Sequence, residues 1–192
     1  MNAALKWDLV SEAEYLQGEL LSEVKHEYMG GVLYAMAGAG NAHNRVATNI
    51  TIALGGRLRE HPCQAFNSDT KIRLRLPSQT RYYYPDVSVV CRSNPSTDSF
   101  QDEPLVVVEV LSASTRRADQ GEKREAYLTP PSLRIYLMVE TTHAGVTVCR
   151  RTDQGFLEEQ YRGLQAVIPL PELDAELPLS EIYERTEFAS DG

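Results

Sequence analysis

The stretch Pro104-Leu-Val-Val-Val-Glu-Val-Leu111 has the composition of a strand buried on both faces, yet it carries a carboxylate near its end. Side chains alternate across a strand, so Glu109 shares one face with Val107 and Leu111. A buried ion without a partner loses its hydration, at a cost on the order of several kcal/mol. We therefore expect Glu109 to be protonated, paired with a cation or bound to a metal ion.

A second carboxylate stands at the head of another apolar strand, in Tyr84-Pro85-Asp86-Val-Ser-Val-Val-Cys91. Two strands that each bring one carboxylate into an apolar sheet commonly build a divalent-metal site, and Mg²⁺ prefers oxygen ligands. The sequence predicts that Asp86 and Glu109 face one another on neighbouring strands and hold Mg²⁺ or Mn²⁺. The alternatives are a turn role for Asp86 and an ion pair of Glu109 with Arg116 or Arg117.

The length and charge of the chain limit its function only modestly. With 192 residues it can bury a core as one domain, and we expect a single domain over 1–192. Its core should span about 11–184, with a tail at 185–192 that can be disordered. The net charge of −8 argues against a general polyanion-binding protein, although local basic patches can override it. Residues 1–8 lack the pattern of a signal peptide, and no run approaches the roughly 20 apolar residues of a membrane span.

The three cysteines, Cys63, Cys91 and Cys149, are widely separated and form no Cys-x-x-Cys pair. This spacing lacks the pattern of a zinc-knuckle or redox motif and favours reduced thiols that pack in the core. We therefore expect a cytoplasmic protein.

The order of helix and strand signals predicts an α+β fold. Ser11 and Glu14 have the spacing of a capping box, and Gly30-Gly31 divides 26–36 into two strands of a hairpin. From about 42 to 59, apolar residues recur at helical spacing. The further predicted elements are a strand at 70–76, a helix at 116–128 that Ser114-Thr115 can cap, strands at 133–139, 145–150 and 156–161, and a last turn at 181–184 capped by Ser180.

Several blocks of the sequence together resemble a known family over about 15–184. They are the Pro85-Asp86 strand, the stretch 104–115, the spacing of Asp119, Lys123 and Tyr127, the stretch 135–140, the hairpin at 26–33, and His43 at the start of the long helix. In combination these blocks resemble the Uma two family, which comprises restriction-endonuclease-like proteins of the PD-(D/E)XK nuclease superfamily.

The resemblance implies a restriction-endonuclease-like fold: a mixed β-sheet flanked by helices, with an N-terminal β-hairpin and a C-terminal antiparallel extension. In PD-(D/E)XK nucleases an acid and a lysine two residues apart project into one site, where the acid holds Mg²⁺. Here Leu111 occupies the lysine position, so the matching spacing makes Lys123 the candidate for a displaced lysine; a solvated helix face is the alternative. We expect its ammonium to approach Glu109, and Lys123→Met to suppress turnover with little effect on folding.

Five further residues are candidates for the site. Glu27 could orient a water molecule or be an ordinary hairpin charge, and His43 is interpreted as a hydrogen-bonding residue at the helix start or at the rim of the site. Lys71, Arg73 and Arg75 alternate along one strand and could contact substrate phosphates. Charges on a half-exposed strand also prevent edge pairing, and this is the alternative for all three.

The function that follows is Mg²⁺- or Mn²⁺-dependent hydrolysis of a phosphodiester in nucleic acid, with DNA as the favoured substrate. One alternative is a nuclease-fold protein that binds nucleic acid or protein without turnover, favoured by the acidic charge and by Leu111. Another is an enzyme that acts on a small phosphorylated substrate. Apolar groups at 82–84 and 133–139 look exposed in the sequence and predict a homodimer.

Overall fold

The computed structural model describes residues 9–112 and 116–188, which form one long helix, several short helices and two main sheets. The helices are α1 (Glu12–Glu19), α2 (Asn41–Arg57), α3 (Arg116–Gln120), α4 (Glu122–Tyr127) and α5 (Leu179–Ile182), with a 3₁₀ turn at Pro171–Leu173. The strands are β1 (His26–Met29), β2 (Val32–Ala35), β3 (Gln64–Asn67), β4 (Lys71–Arg75), β5 (Thr80–Tyr83), β6 (Val87–Val90), β7 (Phe100–Gln101), β8 (Pro104–Val110), β9 (Ile135–Val139), β10 (Gly145–Thr152), β11 (Gly155–Arg162), β12 (Val167–Leu170) and β13 (Ala175–Pro178).

The first sheet has five strands in the order β2-β1-β5-β4-β7 and begins with the predicted hairpin. Gly30 and Gly31 form its turn with φ of 57° and 102°, a left-handed region that glycine enters without a Cβ penalty. The Ser11 and Glu14 side chains form the predicted capping box at the start of α1. These local signals were sufficient to place the N-terminal part of the fold.

The second sheet has six strands in the order β11-β10-β9-β8-β6-β3. Within it β8 and β9 run parallel, and the other neighbours are antiparallel. Strands β9, β10 and β11 form the C-terminal antiparallel extension, and β12 pairs separately with β13. The α+β fold with a mixed, helix-flanked sheet is therefore confirmed.

Strand β8 is buried on both faces, as its composition predicts. Val106, Val108 and Val110 pack in one apolar cluster with residues of α2. Val107 and Leu111 pack on the opposite face, in a cluster that also contains residues of α4 and of the first sheet. Each such burial stabilises the fold by about 1.5–3 kcal/mol. Glu109 therefore points into the layer between the second sheet and the elements that cover it.

The predicted helix at 116–128 is in fact two short helices that meet at Gly121. Gly121 has φ −113° and ψ −104°, which is not helical, and a Cβ there would lie 2.9 Å from the carbonyl oxygen of Arg117. The proposed cap at Ser114-Thr115 lies outside the described residues, as do 1–8 and the end of the tail at 189–192. The last turn starts at Leu179 with Pro178 as its N-cap, so the prediction of a Ser180 cap was wrong.

The expectation of three reduced packing thiols is wrong for two of them. Cys63 precedes β3 and Cys91 follows β6; these strands are antiparallel neighbours, and the two cysteines form a disulfide. Cys149 is free and buried in β10. The cytoplasmic location remains a prediction, and the cysteine pattern no longer supports it, since disulfides are rare in reducing compartments.

The apolar groups that predicted a homodimer are buried inside the chain. Tyr82, Tyr83 and Tyr84 are at most 4% exposed, because the first sheet is covered on both faces. The residues of β9 are also buried, because the strand lies in the interior of the six-stranded sheet. Among the described residues, no helix is both long and apolar enough to cross a membrane.

Candidate active site

Asp86 and Glu109 lie on neighbouring strands with their side chains on one face. Val87 pairs with Val108 in the antiparallel register of β6 and β8, and continuing that register sets Asp86 opposite Glu109. One carboxylate oxygen of Asp86 also accepts a hydrogen bond of 2.7 Å from the Val110 backbone N–H. The sheet itself therefore fixes both acids, as alternation along the two strands predicts.

Lys123 reaches this pair from the first turn of α4. Its ammonium lies 2.7 Å from Glu27 Oε1, 3.7 Å from Glu109 Oε1 and 3.6 Å from Asp119 Oδ1. Only 12% of the lysine side chain is exposed, so the predicted approach to Glu109 occurs in the interior of the chain and not on a solvated helix face. Asp119, to which the sequence assigned no role, joins the group through its spacing of four residues from Lys123.

The carboxylates of the cluster outnumber its cations. Glu27, Glu109 and Asp119 surround a single lysine, and Asp86 acts electrostatically on Glu109 from beside it. Burial raises the pKa of Glu109 well above its ordinary value, the Lys123 charge opposes this shift, and the neighbouring acids add to it. Burial likewise raises the pKa of Glu27. The group would gain from a further positive charge.

Lys123 keeps its proton in these surroundings. Burial alone would lower the pKa of the ammonium, but Glu109, Glu27 and Asp119 outweigh it and raise the pKa. The predicted effect of Lys123→Met on folding therefore needs revision. Because the lysine is the cation that holds three buried acids together, its loss should also destabilise the fold.

His43 lies at the edge of the cluster, in the first turn of α2. Its Nε2 is 3.2 Å from Asp86 Oδ2, the same oxygen that the Val110 N–H contacts. Burial lowers the pKa of His43, but the hydrogen bond and charge of Asp86 outweigh that and raise it. His43 is thus placed to orient Asp86 and to respond to its charge.

Three buried tyrosines enclose the cluster. Lys123 Nζ lies 5.5 Å from the ring centroid of Tyr83, and the rings of Tyr83, Tyr127 and Tyr136 contact one another in sequence. The Tyr136 hydroxyl donates a 2.8 Å hydrogen bond to the Asp119 carbonyl, which fixes the end of α3. Apolar walls of this kind lower the local dielectric and strengthen each charge interaction in the site.

The three basic residues of β4 do not join this group. Arg73 pairs with Tyr82 and Tyr82 with Tyr28 across the first sheet, so these share a face, while Glu27, next to Tyr28, points to the other. Lys71 and Arg75 lie on the Arg73 face by the same alternation. Lys71 is buried against the Tyr84 ring, contrary to the half-exposed strand that the sequence predicted.

The alternative partners considered for Glu109 are also resolved. Arg116 donates to Glu140 at 2.8 Å, in an ion pair outside the carboxylate cluster. Arg117 is exposed, and among the described residues the cation that forms an ion pair with Glu109 is Lys123. Asp86, for its part, does more than end a turn, because its carboxylate contacts both Val110 and His43.

The carboxylate oxygens of Asp86 and Glu109 are of the kind that bind divalent metal ions. Glu109 Oε1 is buried without a hydrogen-bond partner, and carboxylate oxygens are the ligands that Mg²⁺ prefers. Within 9–112 and 116–188, however, no three His, Cys, Asp or Glu side chains are already gathered around one point as metal ligands. In this arrangement Lys123 is the charge around which the acids collect.

Comparison with known proteins identifies the family. The model of the Uma2 family, described as "Putative restriction endonuclease", matches residues 12–180. The chain belongs to the Uma2 family. An uncharacterized protein of Synechocystis sp. is 37% identical over 148 residues, which is 76% of each chain. A second uncharacterized protein of the same organism is 33% identical over 135 residues, covering 69% of this chain and 75% of the relative.

A solved structure supports the fold of this Uma2 chain. The crystal structure of a "putative nuclease belonging to DUF820" from Anabaena variabilis superimposes with a TM-score of 0.67 at 15% identity. The match covers 84% of this chain and 90% of the other. At this level of identity the comparison establishes a shared architecture.

Proposed function

We propose that this Uma2 protein is a metal-dependent phosphodiester hydrolase, an endonuclease that acts on nucleic acid, with DNA as the favoured substrate. The observation that carries the proposal is the group of three carboxylates around one buried ammonium, with the carboxylate of Asp86 beside Glu109. Buried, unbalanced acids with raised pKa values are typical of functional sites, because a structural network would pair them.

Asp86 and Glu109 would hold Mg²⁺ or Mn²⁺ in this proposal. Such an ion, when bound, makes water more acidic and offsets negative charge on a phosphate. His43 and the Val110 N–H keep Asp86 in one orientation. Preorganised ligands of this kind avoid the cost of ordering them at each turnover.

Lys123 and Glu27 would act on the reacting groups. The ammonium is held between acids and is too buried for bulk solvent to screen it, so it can stabilise charge that develops on the phosphate. Glu27 accepts from Lys123 and can orient the attacking water through its second oxygen. The enclosing tyrosines limit the access of bulk water.

Plasmid nicking tests the proposal directly. Purified protein should convert supercoiled DNA to the open circle with Mg²⁺ or Mn²⁺, and chelation with EDTA should stop it. Asp86→Asn should be inactive, whereas Asp153→Asn, an exposed turn residue that loses the same charge, should retain activity. Cleavage that persists in Asp86→Asn would refute the assignment of the site. Metal-independent, salt-sensitive binding of DNA without cleavage of DNA or RNA would favour the binding-module alternative.

We further propose that two copies act together, since cleaving both strands of a duplex takes two sites and two-fold pairing is the commonest assembly. The surface best suited to it is now β2, an edge strand whose residues Val32, Leu33 and Tyr34 are 39–48% exposed. Light scattering at micromolar concentration should give the mass of a dimer, and Leu33→Lys should lower it to that of a monomer. A monomeric wild-type chain would refute this part of the proposal.

A further inference from the structure

A second charged region lies at the other end of the strands that carry the candidate site. A cavity of about 710 Å³ opens where β4 and β6 end and where β8 and β9 begin. Cys91 lines it and is five residues beyond Asp86 along the same strand, which at about 3.3 Å per residue amounts to roughly 17 Å. The cavity and the carboxylate cluster are therefore separate sites.

The cavity is lined by four arginines and two acids, in a chain whose net charge is −8. Arg73 is already committed, since it donates to both oxygens of Asp102 at 2.6 and 2.7 Å. Arg75, Arg92 and Arg134 are exposed, and within 9–112 and 116–188 no side chain forms a hydrogen bond or close ion pair with them. Arg75 acts on Asp102 and Glu12 only at longer range. The arginines outnumber the acids at this opening, so an anion placed there would offset the excess positive charge.

The loop that precedes Arg134 is held in place by hydrogen bonds from Arg151 to its backbone. The guanidinium of Arg151 donates to the carbonyl oxygens of Leu133, Pro130 and Leu128 at 2.7, 2.7 and 3.0 Å. It also stacks 4.4 Å from the ring centroid of Phe156. Arg151 thus fixes the loop between α4 and β9. Because this loop is fixed, the backbone position of the exposed Arg134 is fixed as well.

We propose that the guanidinium groups of Arg75, Arg92 and Arg134 bind the phosphate backbone of nucleic acid at this cavity, apart from the candidate catalytic site. The planar fork of arginine matches the oxygens of a phosphate and keeps its charge at every accessible pH. The inference rests on the proposed function for the identity of the ligand, but not on any step of catalysis.

Binding measured without metal tests this site. A short fluorescein-labelled DNA duplex is titrated in EDTA, by anisotropy, at several salt concentrations. The double variant R92Q/R134Q is compared with wild type and with R162Q/R185Q, a control that removes the same charge from exposed arginines elsewhere. The slope of log affinity against log salt should fall by about two in the double variant and stay near wild type in the control. The advantage of wild type over R92Q/R134Q should shrink about tenfold between about 50 and 200 mM salt, and adding R75Q should lower the slope further.

The outcomes separate this inference from the proposed function. If R92Q/R134Q and the control lose affinity equally, or wild type binds no duplex, the cavity is not a backbone site, even if plasmid is nicked. If the slope falls as expected while wild type fails to cleave DNA or RNA, the cavity assignment stands and the hydrolase proposal fails. Binding of inorganic phosphate alone, detected by calorimetry without any effect of the variants on duplex affinity, would identify a small-anion site and overturn the inference. Circular dichroism checks that the variants fold.

Discussion

The two faces of the five-stranded sheet differ in how far their buried acids are balanced by cations. On one face, Arg73 donates to both oxygens of Asp102 and contacts Glu12, which also accepts a 2.6 Å hydrogen bond from Tyr82. On the other, Glu27, Glu109 and Asp119 surround Lys123, and Asp86 acts electrostatically on Glu109. Both groups are partly or wholly buried and both contain aromatic neighbours, so the difference between them lies in their balance of charge.

That balance appears in the pKa values of the acids. Burial tends to raise the pKa of Asp102, but hydrogen bonds from Arg73 and Asn94 outweigh it and lower the pKa. Burial is not outweighed at Glu109, where the pKa rises. A lowered pKa means that the fold stabilises the ionised acid, whereas a raised one means that the fold tolerates it at a cost. We call the face with Arg73 and Asp102 the paired face and the face with Glu27 and Lys123 the unbalanced face. The paired face should therefore contribute to stability, and the unbalanced face should contribute to catalysis.

Removing Lys123 should have the largest effect on both stability and cleavage, because it takes the central cation out of the carboxylate cluster. Lys123→Met leaves buried acids without a cation, which should cost about 3–5 kcal/mol of unfolding free energy in EDTA. Loss of a preorganised charge should also slow cleavage by about 10²–10³-fold. Urea unfolding and initial nicking rates measure the two effects.

The metal dependence of this variant is a further check. Mg²⁺ or Mn²⁺ should raise the melting temperature of Lys123→Met more than that of wild type, because a cation replaces the missing charge. Lys123→Arg, which keeps the charge, is the matched control and should retain most of the stability. A fully stable, fully active Lys123→Met protein would show that the lysine is only part of a helix face.

Replacing one acid of the cluster should separate activity from stability. Glu109→Gln should lower the cleavage rate at least about 100-fold, since even residues that support a metal ligand contribute 10–100-fold. Its unfolding free energy in EDTA should stay level or rise, because a neutral amide of the same shape replaces a desolvated carboxylate. Glu176→Gln, on an exposed position of β13, is the control. A marked loss of stability in Glu109→Gln would mean that the acid is structural.

A substitution on the paired face should lower stability and leave cleavage unchanged. Arg73→Met leaves Asp102 and Glu12 without their cation, which should cost about 1–3 kcal/mol of unfolding free energy. At saturating DNA, cleavage per folded molecule should be unchanged, because Arg73 lies on the face away from Glu27. Urea unfolding and nicking assays on the same preparation measure both. Normal stability with lost cleavage would instead restore the substrate-binding role that the sequence predicted for Arg73.

Much of the fold follows from local patterns in the sequence. The glycine pair forces a tight hairpin, the capping box starts a helix, and alternation in 104–111 orients Glu109. The pairing of Asp86 with Glu109 needed only that their strands be neighbours. The approach of Lys123 was implied by the family resemblance, and it is found despite the break in the helix at Gly121.

What the sequence could not supply is the stacking of one sheet on the other. Burial of Lys71 and of Tyr82 depends on which elements cover each face of the sheet, and strand alternation does not predict this. The same limit hid the ion pair of Arg73 with Asp102, although alternation correctly grouped Arg73 with Arg75. Pairing of Cys63 with Cys91 likewise required that β3 and β6 be neighbours.

The smallest expected effect concerns pH and gives the sharpest contrast between the faces. The pKa of Asp102 is lowered from its ordinary 3.8 in the fold, so its ionised form adds stability above pH 3.8 that is lost as pH falls through the folded value. Asp102→Asn should therefore be less stable than wild type at neutral pH, and the gap should close in acid.

The raised pKa of Glu109 has the opposite sign: above its ordinary 4.5 the ionised form costs stability, so Glu109→Gln should gain on wild type as pH rises. Thermal unfolding in EDTA across this range measures both gaps, with Asp153→Asn as the exposed control. Parallel pH profiles for the two variants would mean that the two faces do not differ in how they hold charge.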